Sequence, residues 1–196
     1  MTPGRIRAHP PAHPPMNLFL SLLSILVLAA MAAAFIGARL PKTHHAVSRI
    51  RLSATPEQVW AVILDFTAYP EWRPGLDRVE LGPECGGLPS WFEVCGRLGR
   101  VHFQVVECAA PRRLVTQIDN DGLPLAGAWT YEFEPDGTGT LLTLTEWESI
   151  HHPLLRFFDR FVLSYHGVMD VYLTALARKL GDPAHPQHLS LKLDDA

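Results

Sequence analysis

The apolar pattern opens with a run that has no polar face. Met16 to Ala38, MNLFLSLLSILVLAAMAAAFIGA, holds 23 residues and no charge. As a helix it would cross a hydrocarbon core about 30 Å thick. Ahead of it, residues 1–15 are Pro-rich without an apolar period and predict a disordered N-terminus. Residues 39–45 read as a linker. Alternation follows: in AVSRIRLS, Ser48, Ile50 and Leu52 share one side and Arg49 and Arg51 the other, which predicts a strand. Thr55, Pro56 and Gln58 then supply an N-cap, a first-turn proline and a capping box. Val59, Trp60, Val62, Ile63 and Leu64 form the stripe of that short helix. Pro70 and Pro74 end it, so Phe66, Tyr69 and Trp72 lie on a segment that must bend.

From Leu76 to Ser149 the pattern becomes LDRVEL, SWFEVC, RVHFQVVE, RLVTQI, AWTYEFE and TLLTLTEWES, separated by short loops rich in Gly, Pro, Asn and Asp. Such spacing predicts an antiparallel meander. Between Pro153 and Leu180, the residues Leu154, Phe158, Phe161, Tyr165, Met169, Tyr172, Leu176 and Leu180 recur every third or fourth position. That predicts a single helix about 42 Å long, closed by Gly181. Residues 182–196 predict a disordered tail. The whole order predicts an α+β fold. An antiparallel sheet of about seven strands would curve around the long C-terminal helix, leaving a cleft between them.

Four segments resemble the START-like, or SRPBCC, superfamily with its helix-grip fold, in its polyketide cyclase/dehydrase and lipid-transport branch. They are ATPEQVWAVILDFTAYPEWRPGLDRVEL (Ala54 to Leu81), APRRLV (Ala110 to Val115), WTYEFEPDGTGTLLTLTE (Trp129 to Glu146) and the helix ending LARKLG. The resemblance covers residues 46–181. It implies an apolar cavity for a lipid or another hydrophobic molecule, and it does not imply cyclase activity. It also implies that Phe66, Tyr69 and Trp72 seat a kinked second helix against core and cavity.

Charge narrows the partners. Between Ala46 and Gly181 there are 12 Lys+Arg against 17 Asp+Glu, so no nucleic-acid partner is expected. Cys85, Cys95 and Cys108 are odd in number and lack C-x-x-C spacing, which argues for a reducing compartment. Arg39, Lys42, Arg49 and Arg51 outnumber Arg5 and Arg7 around the apolar run, so a single-pass membrane protein would hold its domain in the cytoplasm. The alternative is a cleaved signal, with Ala32-Ala33-Ala34 as cleavage site and a secreted or periplasmic domain.

Candidate chemistry concentrates on the last hairpin and the last helix. With Pro135 to Thr138 as the loop, Trp129, Tyr131, Phe133, Leu142 and Leu144 share the inner face. The same parity turns Glu146 inward, as an acid/base, a ligand anchor or a hydrated carboxylate at the cavity mouth. Tyr165 and Met169 join the inward stripe, and His166 flanks it. The expected ligand-binding set is Trp72, Trp129, Tyr131, Leu144, Glu146, Phe158, Phe161, Tyr165 and Met169. Glu146, Tyr165 and His166 are the candidate catalytic groups. The pairs His44-His45 and His151-His152 lack metal-site spacing, so no metal and no cofactor is expected. Three functions remain open: a membrane-tethered domain binding a hydrophobic small molecule or lipid, a cyclase- or dehydratase-like enzyme, and a structural or partner-binding protein. The last would gain if Trp91, Trp129, Tyr131 and Phe158 filled the cavity.

Overall fold

A computed structural model describes residues 16–96, 99–118 and 125–189. The expected disordered N-terminus, residues 1–15, and residues 190–196 of the tail lie outside the described residues. Helix α1 (Met16–Arg39) is followed by β1 (Thr43–Leu52), which takes in the last three residues of the expected linker. Next come α2 (Pro56–Leu64), a single 3-10 turn (Phe66–Ala68) and α3 (Tyr69–Trp72). The capping box at Thr55 and Gln58 is formed. The strands β2 (Arg78–Leu81), β3 (Ser90–Cys95), β4 (Gly99–Ala109), β5 (Arg113–Ile118), β6 (Leu125–Asp136) and β7 (Gly139–Ile150) make the meander. The C-terminal region holds α4 (Pro153–Phe158), a π-turn (Asp159–Leu163), α5 (Gly167–Leu180) and β8 (Gln187–Leu189).

Among the described residues all strands belong to one antiparallel sheet of eight, in the order β2-β3-β4-β5-β6-β7-β1-β8. The eighth strand comes from the tail that the sequence pattern left without structure: Val47 to Arg49 pair with Leu189 to Gln187. Three residues are too short to show a period, so only the unpaired edge of β1 selects them. The β6–β7 hairpin turns more tightly than expected. Asp136 pairs with Gly139, and Gly137 takes φ +64°. The register therefore moves by two residues, to Phe133↔Leu142, Tyr131↔Leu144 and Trp129↔Glu146. An even shift keeps every side chain on its expected face.

The inner face meets α2 and α5 in one core. Ile50, Leu142, Leu144 and Phe133 come from the sheet, Val59 and Ile63 from α2, and Met169, Leu173 and Leu176 from α5. The bend after α2 is sealed by its aromatics. Phe66 stacks on Trp91 at 4.0 Å, and the buried Tyr69 hydroxyl donates to the Ile63 carbonyl at 2.7 Å. That bond satisfies a carbonyl which the end of the helix leaves without an intrahelical donor.

The predicted single C-terminal helix is broken. Asp159 to Leu163 form the π-turn, Ser164 sits at φ +68°, and α5 restarts at Gly167 with 14 residues. About half the expected rod therefore crosses the sheet. Two tertiary interactions outweigh the helical period here. Tyr165 stacks on His44 at 4.2 Å, and His166 Nδ1 lies 3.1 Å from the buried Ser48 hydroxyl. Meanwhile α4 packs on the C-terminal end of α1. Gly37 faces the Pro153 carbonyl so closely that a Cβ would overlap it, with Ala33 and Ala34 half-buried beside it. Small residues permit such close approach of two helices. Phe158 and Phe161, expected on the inward stripe, are consequently 50% and 57% exposed.

Candidate functional site

Antiparallel pairing sorts the inner face into rows. The innermost row is Ile50, Leu142 and Phe133, all buried and apolar. Next stand Ser48, Leu144 and Tyr131, then Ala46, Glu146 and Trp129, and finally His44, Glu148 and Gly127. The surface thus runs from apolar to acidic along the strands. Helix α5 covers the apolar rows, and the break at residues 159–166 lies over the acidic ones, where Asp159 and Tyr165 reach His44.

Aromatic side chains mark the boundary between the two zones. Tyr172 of α5 is its hub, with ring centroids 5.4 Å from Trp72, 5.3 Å from Trp129 and 5.9 Å from Tyr131. Arg73 lies over the rings of Tyr69 and Tyr172 at 4.7 and 5.2 Å and forms a buried ion pair with Glu93. Burial would lower the Arg73 pKa, but Glu93, Tyr69 and Tyr172 raise it further than burial lowers it. Burial also raises the hydroxyls of Tyr69, Tyr131 and Tyr172 well above the ordinary tyrosine value. These groups stay un-ionised inside the core.

Glu146 stands where the aromatic zone meets the acidic rows. The Trp129 indole N–H donates to its Oε1 at 2.7 Å. Burial pushes its pKa up to about 7, against the pull of that N–H and with help from Asp159. Glu148 is also pushed up to about 7, by burial and then by Glu146 and Asp159. Asp159 rises through burial, partly opposed by His44 and Arg160. Burial lowers the His44 pKa more than Asp159 raises it. Acids poised near neutrality and a neutral imidazole are suited to exchanging protons or receiving a cation.

The sequence-derived site residues separate into three groups. Tyr131, Leu144 and Met169 are buried in the core. Trp72, Trp129 and Tyr165 lie half-buried at its margin, with Glu146 among them. Phe158 and Phe161 are on the exposed side of the break. Trp91 and Tyr131 do fill interior space, whereas Trp129 is only part-buried and Phe158 points outward. His166 sits between Ser48 and His188; its ring stacks on that of His188 at 4.0 Å, and its pKa is lowered by burial and then by His188. An open groove of about 720 Å³ between α3 and α5 includes Trp72, Arg73 and Lys179 but none of the acidic row.

His44, Glu148, Asp159, Arg73 and Tyr172 were not among the expected site residues. Glu148 shares the parity of Glu146 and was therefore legible in the strand. His44 follows once β1 is paired with β7. Asp159 had no local signal, because the helical period concealed the break.

An antiparallel sheet of eight strands packed on a C-terminal helix, with aromatic and acidic rows on its inner face, has the helix-grip architecture of START-like ligand-binding domains. Residues 43–181 match the family described as polyketide cyclase / dehydrase and lipid transport, and the chain belongs to that family. Solved structures share the fold. A START superfamily protein from Mycobacterium smegmatis aligns at 18% identity over 70% of this chain and 98% of its own, with a TM-score of 0.57. Norcoclaurine synthase from Thalictrum flavum aligns at 12% identity over 72% of this chain and 88% of its own, with a TM-score of 0.56. The di-domain ARO/CYC StfQ of the steffimycin biosynthetic pathway aligns at 14% identity over 71% of this chain and 52% of its own, with a TM-score of 0.54. No curated protein matches the chain in sequence.

Proposed function

We propose that this is a membrane-tethered binding domain for a hydrophobic small molecule or lipid, held under the break in the C-terminal helix. The single observation that carries the reading is the placement of Glu146. It is a mostly buried carboxyl fixed by Trp129, which with Trp72 lies half-buried at the margin of the aromatic cluster around the buried Tyr131 and Tyr172. The half-buried indole faces take up the apolar body of a ligand, and a poised carboxyl orients its polar end.

Tethering is supported by α1, whose segment Asn17–Arg39 is long and apolar enough to cross a bilayer. Its last turns touch α4 at Gly37 and Pro153, so the break lies near the end of the span. A bilayer would then supply the ligand directly, and the flanking basic residues favour a cytoplasmic domain. Native mass spectrometry after mild detergent extraction tests the binding reading. A co-purified lipid or other hydrophobic ligand is expected, and its loss in Trp129→Ala. A chain that is consistently empty overturns it. Labelling of Cys108 only from outside the cell would overturn the cytoplasmic placement.

A second reading has one observation in its favour. Glu146, with a pKa near 7, has the poise of a general acid/base, as a cyclase- or dehydratase-like enzyme needs. If any turnover is detected, Glu146→Gln decides between the readings. Unchanged turnover removes the catalytic role, while ligand capture persists through the retained Trp129 contact.

A further inference from the structure

The acidic rows contain an arrangement that neither hydrophobic binding nor acid/base work requires. His44 of β1 lies directly across from Glu148 of β7, and its Nε2 is 3.5 Å from Glu148 Oε2. Its Nδ1 is 3.8 Å from Asp159 Oδ2, contributed by the π-turn. One donor atom from each of the three lies within 4.8 Å of the other two. The His44 side chain is only 10% exposed, and its buried Nε2 has no hydrogen-bond partner. A buried ring nitrogen aimed at a carboxylate, yet unbonded, is costly and calls for an occupant.

We propose that His44, through Nε2, and Glu148 bind one divalent transition-metal cation of the Zn2+ class, with Asp159, whose donor atom lies within 4.8 Å of theirs, reaching the ion directly or through one of the waters that complete its coordination. Two donors at 2.0–2.2 Å from a tetrahedral ion stand about 3.4 Å apart, close to the observed separation of Nε2 and Oε2. The imidazole selects a borderline ion over Ca2+ or Mg2+, which prefer all-oxygen shells. Among the described residues no Lys or Arg forms an ion pair with Glu148 or Asp159. The guanidinium nearest in sequence, Arg160, lies over the Tyr165 ring at 5.2 Å. Ring stacking by Tyr165 fixes the plane of the imidazole, the part that second-sphere groups play in metal sites. The absence of metal spacing in the sequence does not oppose this. His44 and His45 point to opposite sides of a strand, and the other ligands come from distant elements.

The site requires no membrane and no hydrophobic ligand, so it stands apart from the preceding reading. The test uses the full chain in detergent, stripped with EDTA and titrated calorimetrically with Zn2+. Because the chain has 10 histidines, His151 and His152 are first replaced by Ala to remove an exposed pair. One equivalent of Zn2+ is expected, weakened at least tenfold by His44→Ala and by Glu148→Gln, and unaffected by His45→Ala. Co2+ should give a visible absorption band of a nitrogen–oxygen ligand set that His44→Ala abolishes. Should His44→Ala misfold by circular dichroism, Glu148→Gln and Asp159→Asn, which keep shape, carry the test. Equal Zn2+ uptake by these variants and the parent, or no uptake by the parent, overturns the proposal.

Discussion

Tyr69 shows how one side chain can serve both a turn and a core. Its ring is buried against Phe66, Trp72 and Trp91, and its hydroxyl reaches back to the Ile63 carbonyl. Tyr69→Phe should keep the packing and orphan the carbonyl, lowering stability by about 1–2 kcal/mol in urea unfolding of the detergent-solubilised chain. Glu146 and Glu148 yield a prediction in pH. Both titrate near 7 when folded and near 4.5 when unfolded, so the folded chain holds extra protons in between. Their contribution is complete below about pH 4.5 and is lost as pH rises to about 7. His44, kept neutral by burial, acts in the opposite sense through its ordinary value of 6.5. In EDTA, Tm should therefore fall most steeply between about pH 5 and 6, and Glu146→Gln should flatten that slope. The inward turn of Glu146 was legible because strand parity survives an even register shift. Its indole partner was legible as a neighbour on the same face, but not as a donor, since that depended on the register itself.

Among the elements, those with local signals formed as the sequence predicts. The capping box and the period-two strands each carry their own determinant within a few residues, whereas α2 stops at Leu64, ahead of Pro70, which stands in the first turn of α3 instead of ending a helix. The C-terminal helix did not form as one rod, because its fate was decided by distant residues: His44, Ser48 and Gly37. The contact between α1 and α4 is the least polar of these and the easiest to disturb. Gly37→Leu should force the two helices apart. Deuterium exchange by mass spectrometry should then quicken in Leu155 to Leu163, while β6 and β7 keep their protection. Unchanged exchange in α4 would mean that α1 does not hold it.

For the molecule as a whole, the exposed apolar residues form a continuous theme. Helix α1 is bare from Asn17 to Ala32, and Leu155, Phe158, Phe161 and Val162 are exposed beside its C-terminal end. If α1 spans a bilayer, those side chains meet its headgroup boundary. Phe158→Trp, reconstituted in vesicles, should be quenched by lipids brominated on their acyl chains; quenching by aqueous iodide instead would place the break away from the membrane. At the opposite margin, β8 follows the final helix and lies outside the family match, which ends at residue 181. Its three residues occupy backbone groups of β1 from Val47 to Arg49, and His188 clasps Asp170 at 2.9 Å. A fragment trimmed to the family boundary would bare that seam and leave a sticky rim, ready to zip onto another molecule's strand. Such a fragment should elute as dimers or larger species in size-exclusion chromatography, and restoring the last fifteen residues (182–196) should return it to the behaviour of the longer chain.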